Sequence, residues 1–178
     1  MAKTALLTLL LAALIPCGTV QAPQARGHRP PRKAPSHCSE QEKVIFSCST
    51  SKGKVVSLCS SSSLDAASGY LQYRFGAIGS KPELVYPETQ QHPKDHFKSG
   101  TLMYSGGGGA YLEFNNGDYK YVVFTGIGKG WEREGVVVSK SGKQIALLEC
   151  QGPWDSEIGP DFFEHSGIPA ANDDFEIP

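Results

Sequence analysis

Short runs of apolar and aromatic residues alternate with polar residues and turn residues along most of this chain of 178 residues. Within residues 38–150 the alternation has the period of a strand, and no run has the length and spacing of an amphipathic helix. The pattern predicts nine strands, which are Val44–Cys48, Val55–Cys59, Tyr70–Phe75, Leu84–Tyr86, Thr101–Tyr104, Ala110–Phe114, Tyr119–Thr125, Gly135–Ser139 and Gln144–Glu149.

Turn residues separate these predicted strands. Three segments rich in Gly, Asn and Ser predict hairpin connections, at 51–53, 115–118 and 140–143. Ser63–Ser68 is the only segment that suggests a helical turn, and Pro87–Ser99 predicts a long polar loop. The predicted fold is therefore all-β, a small antiparallel barrel or sandwich of about eight to nine strands.

The third predicted strand shows the alternation of its side chains clearly. Leu71, Tyr73 and Phe75 fall on one face, whereas Gln72 and Arg74 fall on the other. Antiparallel strands with one face in the core and one face in solvent have this pattern. We expect the same arrangement in most of the sheet.

Residues 1–22 predict a secretory signal peptide. An apolar run over residues 5–15 precedes a Val-Gln-Ala cleavage site of the A-x-A type at residues 20–22. The mature chain would then be periplasmic or secreted. The alternative is a lipoprotein signal in which Cys17 is lipidated, although Pro16 stands where a small residue is usual. No later stretch approaches the roughly 20 apolar residues of a spanning helix, so the mature chain is predicted not to be transmembrane.

Four cysteines remain after removal of the signal peptide, namely Cys38, Cys48, Cys59 and Cys150. An even number of cysteines in an exported chain predicts two disulfides. A zinc site is disfavoured because the spacing contains no C-x-x-C pair. Three connectivities are open. We favour Cys48 with Cys150, which would join the first predicted strand to the last, and Cys38 with Cys59.

Charge is concentrated at the two ends of the chain, although the formal net charge is only −1. Residues 23–37 are rich in Pro and Arg and predict a mobile linker before the β domain at 38–150. Residues 151–178 contain seven acidic residues and no Lys or Arg, and they predict a flexible acidic tail that provides solubility or attracts a basic partner. A nucleic-acid partner is disfavoured because the basic run is short and the domain is nearly neutral.

Few residues could carry catalysis or hold a metal. His92 and His96 lie in the predicted polar loop, where Pro93 disrupts the helix that would bring both rings to one face. Glu113 and Asp118 flank a predicted hairpin and could form a glycosidase-like carboxylate pair, but alternation assigns Glu113 to the solvent side of its strand. The sequence therefore predicts no catalytic residue, no metal site and no cofactor.

The four-glycine run Gly106–Gly109 is the most distinctive feature of the chain. Such a run is costly to order, so a tight bend or a bound partner should justify it. The run lies between predicted strands rich in Tyr, Phe and Val. We interpret it as a flexible loop whose backbone approaches a partner closely, which favours a binding surface over a reaction site.

The residues around this run form a wider pattern. A cysteine early in the domain is followed by a Ser-Gly pair and a Tyr, then by an aromatic strand that leads to a Lys-Gly pair, and finally by a late cysteine. The residues are Cys48, Ser105-Gly106, Tyr111, Tyr121–Thr125, Lys129-Gly130 and Cys150. This arrangement resembles the periplasmic lysozyme inhibitors. The whole chain also resembles secreted bacterial proteins known only as uncharacterised, a likeness that bears on compartment and fold but on no activity.

The resemblance implies a β protein that blocks the cleft of a lysozyme-like muramidase. Lys129 would face the catalytic carboxylates, and Ser105 would hydrogen-bond one of them. Gly106 would let the loop enter a narrow groove, and Tyr111 would support the loop from beneath. The predicted partner-binding residues are Ser105, Gly106, Tyr111, Tyr121, Thr125 and Lys129.

Two other functional classes stay open at this point. One is a carbohydrate- or cell-envelope-binding module that uses Trp131, Trp154 or tyrosines as stacking platforms. The other is an enzyme whose active site the sequence does not reveal.

Overall fold

The computed structural model describes residues 33–178. The predicted signal peptide, the alternative lipidation at Cys17 and residues 23–32 of the predicted linker lie outside the described residues. Between residues 33 and 178, no helix is long and apolar enough to cross a membrane.

Nine antiparallel strands form one curled sheet with the shape of a half-barrel. They are β1 (Glu42–Thr50), β2 (Lys54–Ser61), β3 (Leu71–Ala77), β4 (Leu84–Tyr86), β5 (Lys98–Tyr104), β6 (Gly107–Asn116), β7 (Tyr119–Gly128), β8 (Trp131–Lys140) and β9 (Lys143–Ser156). Their order across the sheet is β4-β3-β2-β1-β9-β8-β7-β6-β5. The all-β prediction is confirmed, and each predicted strand forms, most of them longer than expected.

The three predicted hairpins connect β1 to β2, β6 to β7 and β8 to β9. Two further tight turns, Ser105-Gly106 and Lys129-Gly130, connect β5 to β6 and β7 to β8. Gly106 and Gly130 have φ values of 75° and 84°, a left-handed conformation that glycine adopts at little cost. The predicted loop at Gly106–Gly109 is therefore wrong in extent, because only Gly106 belongs to the turn and β6 begins at Gly107.

The main core lies inside the curl of the sheet. Aromatic rings dominate one part of it, where Phe114 stacks between Tyr86 and Tyr121 at ring-centroid distances of 4.4 and 4.8 Å. Tyr73 is fully buried beside Phe114, with the two ring centroids 5.1 Å apart. Stacked and tilted aromatic pairs of this kind add to the stability gained from burial alone. A second, smaller cluster packs on the opposite face of the sheet, around Phe124.

Residues 151–178 do not form the predicted flexible tail. Strand β9 continues to Ser156, and a helix, α1 (Pro160–Ser166), follows it. Three apolar residues of this region are buried in the main core, namely Ile158, Phe163 and Ile168. Six of the seven acidic residues are exposed, so the charge stays in solvent while the apolar residues between the acids pack on the sheet.

Helix α1 was not predicted, and the helical turn predicted at Ser63–Ser68 does not form. That segment has turns, bends and irregular backbone instead. Pro160 is the first residue of the helix, and Gly167 follows its last residue with a φ of 64°. A proline at the start and a glycine just after the end are typical helix boundaries. These two boundary residues are visible in the sequence, but the acidic composition of residues 151–178 led to the prediction of a flexible tail.

The favoured disulfide connectivity is confirmed. Cys48 of β1 is bonded to Cys150 of β9, and Cys38 is bonded to Cys59 of β2. The first bond joins two neighbouring strands in the middle of the sheet. The second bond attaches the segment before β1 to the sheet. The sequence separation is 102 for Cys48–Cys150 and 21 for Cys38–Cys59.

The end of the predicted linker is packed against β1 and β2 rather than mobile. Ala34 is buried, and the Ser47 hydroxyl donates a hydrogen bond of 2.6 Å to the carbonyl of Pro35. His37 Nε2 lies 3.1 Å from the carbonyl oxygen of Gly76. The predicted boundary at Cys38 is therefore several residues too late, because local composition does not reveal this contact with the sheet.

Candidate functional site

The Ser105-Gly106 and Lys129-Gly130 turns lie side by side at one end of the sheet. A Cβ atom built on Gly106 would lie 3.4 Å from Cβ of Lys129. The two turns meet because β6 and β7 are paired, with Gly108 opposite Ile127. All four turn residues are exposed. We call these four residues the tip.

Two exposed apolar side chains lie directly below the tip. Met103 of β5 pairs with Gly108 of β6, which in turn pairs with Ile127 of β7. All three residues therefore share one face of the sheet, and Gly108 has no side chain to cover the space between the other two. Met103 is 90% exposed and Ile127 is 53% exposed. The tip thus combines one ammonium group, one hydroxyl group and an adjacent apolar surface.

An aromatic pair lies near the tip on the opposite face of the sheet. The rings of Tyr104 and Trp131 meet edge to face, with their centroids 5.0 Å apart. Together with Arg133 and the last two residues of the chain they line a shallow pocket of about 300 Å³. Trp131 is half-buried, so its indole could contribute to an interface without unfolding. The sequence singled out Trp131 but not its partner Tyr104.

The other three predicted partner-binding residues lie away from the tip. Tyr111 is only 4% exposed, and its hydroxyl donates a hydrogen bond of 3.0 Å to the carbonyl of Asp173. Tyr121 stacks on Phe114 near the far end of β7, about 25 Å from Lys129 along the strand. Thr125 lies on β7 between Tyr121 and the tip, on the inner face of the sheet. The expected support of the tip by Tyr111 is therefore not observed.

The C-terminal residues explain both the position of Tyr111 and the glycine at position 126. Residues 169–178, which we call the strap, run across the outer face of the sheet. Their backbone exchanges hydrogen bonds with Ser99, and Ile177 donates one of 3.4 Å to the Tyr104 hydroxyl. A side chain at Gly126 would occupy the space of Ile177, and one at Gly128 would occupy the space of the Trp131 indole. Part of the glycine-rich pattern therefore serves contacts within the chain.

Glu113 is not on a solvent-facing side, contrary to the sequence-based interpretation. It is buried beneath the strap, and its Oε2 atom lies 2.9 Å from the ammonium of Lys120. The same ammonium lies 3.3 Å from Oδ2 of Asp173. Asp118 is exposed on the hairpin. The alternation was interpreted correctly, but the strap covers the face that alternation assigned to solvent.

The two histidines of the predicted polar loop each contact a different protein oxygen. His92 Nε2 lies 2.9 Å from the carbonyl oxygen of Asp65, and His96 Nε2 lies 2.6 Å from Oε1 of Gln91. Within residues 33–178 there is no group of three or more His, Cys, Asp or Glu side chains that could hold a metal ion.

A second candidate region is a groove on the inner face, between the ends of β6–β8 and the segment that joins β9 to α1. It has a volume of about 350 Å³, and its lining includes Glu132, Glu134 and Trp154. Glu134 is 7% exposed, and its Oε1 atom has no hydrogen-bond partner among the described residues. Burial, followed by the nearby charge of Glu132, raises the pKa of Glu134 to about 7. Sequence reasoning missed this groove.

Comparison of the chain with protein-family models, with curated proteins and with solved structures found no match in any of the three. The functional assignment therefore depends on the tip, the groove and the chemistry of their side chains.

Proposed function

We propose that this protein is a periplasmic or secreted binding protein whose tip inhibits a lysozyme-like muramidase. The observation that carries the proposal is the exposed ammonium of Lys129 beside the narrow Ser105-Gly106 turn. The two disulfides are compatible with an oxidising compartment outside the cytoplasm. The predicted signal peptide supports the same compartment.

The chemistry of the tip suits a cleft with two carboxylates. Glycosidases with two catalytic carboxyl groups hold them about 5–10 Å apart on either side of the scissile bond. Lys129 would form a charge-assisted hydrogen bond with one of these groups, and Ser105 would donate a second hydrogen bond. Gly106 and Gly130 keep the tip thin enough to enter the cleft, because neither has a side chain.

Met103 and Ile127 would add apolar contact at the rim of the cleft. Both side chains project from the face next to the tip, and both would be desolvated when the tip is inserted. Interfaces commonly owe most of their affinity to a few well-packed contacts, and the exposed Met103 side chain is large enough to make one. We therefore expect Lys129 and Met103 to dominate binding.

The test compares two charge reversals in a muramidase inhibition assay. Lys129→Glu places like charge against the enzyme carboxylates and should weaken inhibition by at least about 2 kcal/mol. Lys143→Glu is the matched control, because Lys143 is an exposed lysine on the β8–β9 hairpin, at the opposite end of β8 from the tip. It should change inhibition by less than about 0.5 kcal/mol.

Each variant must retain the unfolding transition of the wild-type protein. Equal effects of the two charge reversals would refute the tip as the inhibitory surface. Failure of the wild-type protein to bind any member of a muramidase panel at micromolar concentration would refute the proposed inhibitory function itself.

An envelope-binding module is the second candidate, and the Tyr104–Trp131 pair favours it. Half-buried aromatic rings beside a shallow pocket can stack on sugar rings. Binding to purified peptidoglycan that is lost in Trp131→Ala would support this candidate. Binding to a catalytically inactive muramidase, in the absence of glycan, would support the inhibitor instead.

A further inference from the structure

The lining of the inner-face groove contains acidic residues but no basic residue. Thirteen residues line it, and none of them is Lys, Arg or His. Two of them are the carboxylic acids Glu132 and Glu134, which point to the same face because they are two residues apart on β8. The groove therefore presents negative charge with no compensating positive charge in its lining.

Glu134 is the central group of the groove. On the same face of β8, Glu134 lies between Val136, which is part of the main core, and the exposed Glu132. No Lys, Arg or His nitrogen of residues 33–178 lies within 4.0 Å of its carboxylate. A carboxyl group that is nine-tenths buried and lacks a partner is costly for a folded protein. A ligand that donates hydrogen bonds and carries positive charge would remove this cost.

The lining of the groove selects an organic cation over a metal ion. Two carboxylates do not supply the six or more oxygen ligands that Ca²⁺ takes, and the described residues contain no larger cluster of metal ligands. Trp154 also lines the groove, and an aromatic ring close to a bound cation would attract it. Ile127 lies at its edge and is half exposed, so it can contact an aliphatic stem. The volume of about 350 Å³ is at the small end of the range for ligand sites.

We infer that the groove binds an ammonium or guanidinium group on an aliphatic stem, such as a lysine or arginine side chain of a partner protein, with Glu134 as its main hydrogen-bond acceptor. Glu134, on which cation binding depends, is separate from the tip residues Ser105 and Lys129 that carry the proposed inhibition, although Ile127 borders both surfaces. Loss of cation binding would therefore leave inhibition by the tip intact, and loss of inhibition would leave cation binding intact.

Binding should release a proton near neutral pH. Free Glu134 is partly protonated at pH 7 because its pKa is raised, whereas the bound cation requires the carboxylate. The charged residues that line the cavities around Glu134 are Glu132 on the same strand, Glu149 on β9, and Arg133. Arg133 donates a hydrogen bond to the terminal Pro178 oxygen, and the lining from β7 is uncharged.

In the experiment, the folded protein is titrated with Nα-acetyl-lysine methylamide or Nα-acetyl-arginine methylamide, both of which keep the side-chain cation. Binding is monitored through the backbone amide chemical shifts. N-acetyl-norleucine methylamide serves as the uncharged control. We expect saturable shifts at groove residues such as Thr125 and Gly126 with at least one of the two cations and none with the norleucine compound. The dissociation constant should fall at least threefold between pH 6 and pH 8.

Glu134→Gln should weaken cation binding at least tenfold and remove its pH dependence. The replacement keeps the size of the side chain and removes a buried charge, so the fold should be retained, which the amide spectrum would verify. Glu164→Gln on the exposed side of α1 is the matched control and should leave binding unchanged. Binding of the norleucine compound as tight as that of the cations, absence of saturable shifts with both cations, or unchanged affinity in Glu134→Gln would overturn the inference.

Discussion

The side chain of Ile177 occupies the space that a side chain at Gly126 would need. Gly126 lies on β7 and Ile177 is the second-last residue of the chain, so this contact joins β7 to the end of the strap. Val122 and Phe124, also on β7, pack in the same outer cluster. The glycine is therefore the feature of β7 that lets the strap lie flat against the outer face.

We expect Gly126→Ala to move the Ile177 side chain out of its place, and so to loosen the end of the strap without unfolding the sheet. The added methyl group would clash with Ile177, whereas the next contact, to the Trp131 ring, has an ordinary distance of 3.5 Å. Limited proteolysis should cut residues 170–178 faster in this variant than in the wild-type protein.

The double variant Gly126→Ala/Ile177→Ala is the control, because it removes the side chain that causes the clash. The effect of Gly126→Ala on strap cleavage should be much smaller in the Ile177→Ala background than in the wild-type background. An equal effect in both backgrounds would show that Gly126→Ala does not act through a clash with the Ile177 side chain.

The packed position of helix α1 can be tested with two neighbouring phenylalanines. Phe163 is buried in the main core, whereas Phe162 is only partly buried against it. Phe163→Ala should lower the free energy of unfolding by about 3 kcal/mol, and Phe162→Ala by about 1 kcal/mol, in urea denaturation. If neither substitution changes stability, the helix is not part of the core.

The buried ion pair between Glu42 and Arg74 should make the domain sensitive to acid. Burial alone would raise the pKa of Glu42, but hydrogen bonds from Arg74, from the Ser39 backbone N–H and from Tyr70 more than offset it, so the pKa is about 2. Because this value lies below the ordinary 4.5, the carboxylate stabilises the fold above about pH 4.5, and this stabilisation is lost as the pH falls towards 2.

We expect Glu42→Gln to cost about 2 kcal/mol at pH 7 and to flatten the decline in stability between pH 4.5 and pH 2. Glu83→Gln is the matched control, because Glu83 is paired with Lys54 but its side chain is 51% exposed. It should cost less than about 0.5 kcal/mol at either pH. Equal costs for the two substitutions, measured by urea denaturation, would argue against a special role for the buried pair.

The two disulfides should differ in their contribution to stability. The Cys48–Cys150 bond closes a separation of 102 residues and the Cys38–Cys59 bond one of 21. In the chain-entropy account the longer loop is worth about 5 kcal/mol and the shorter loop about 3 kcal/mol. Paired Cys→Ala variants, compared by urea denaturation, should show this order, and peptide mapping of the wild-type protein should recover these two pairs. A reversed order would contradict the chain-entropy account for this domain.

The residues of the tip were identified from the sequence, but the distances among them were not. Ser105, Gly106 and Lys129 were singled out from a loose sequence pattern, and the pairing of β6 with β7 brings them together. Tyr111 was assigned to the same surface by the resemblance to the periplasmic lysozyme inhibitors, in which a Tyr follows the Ser-Gly pair. The strand geometry carries it about 16 Å away along β6, under the strap.

Local sequence patterns are enough to predict the all-β class, the nine strands, the three hairpins and the number of disulfides. These features follow from local rules, because alternation of side chains has the period of a strand and turn residues have restricted backbone conformations. The connectivity of the four cysteines was favoured correctly from the expectation that the first and last strands would be joined.

The segments that cover each face of the sheet became visible only in the folded structure. Periodicity placed Glu113 on the solvent side of its strand but did not reveal that residues 169–178 cover that face, because the composition of this segment is acidic and its apolar residues are widely spaced. The groove around Glu134 likewise depends on where β9 turns away from β8 to pair with β1. Such contacts join residues distant in the chain, and no local pattern encodes them.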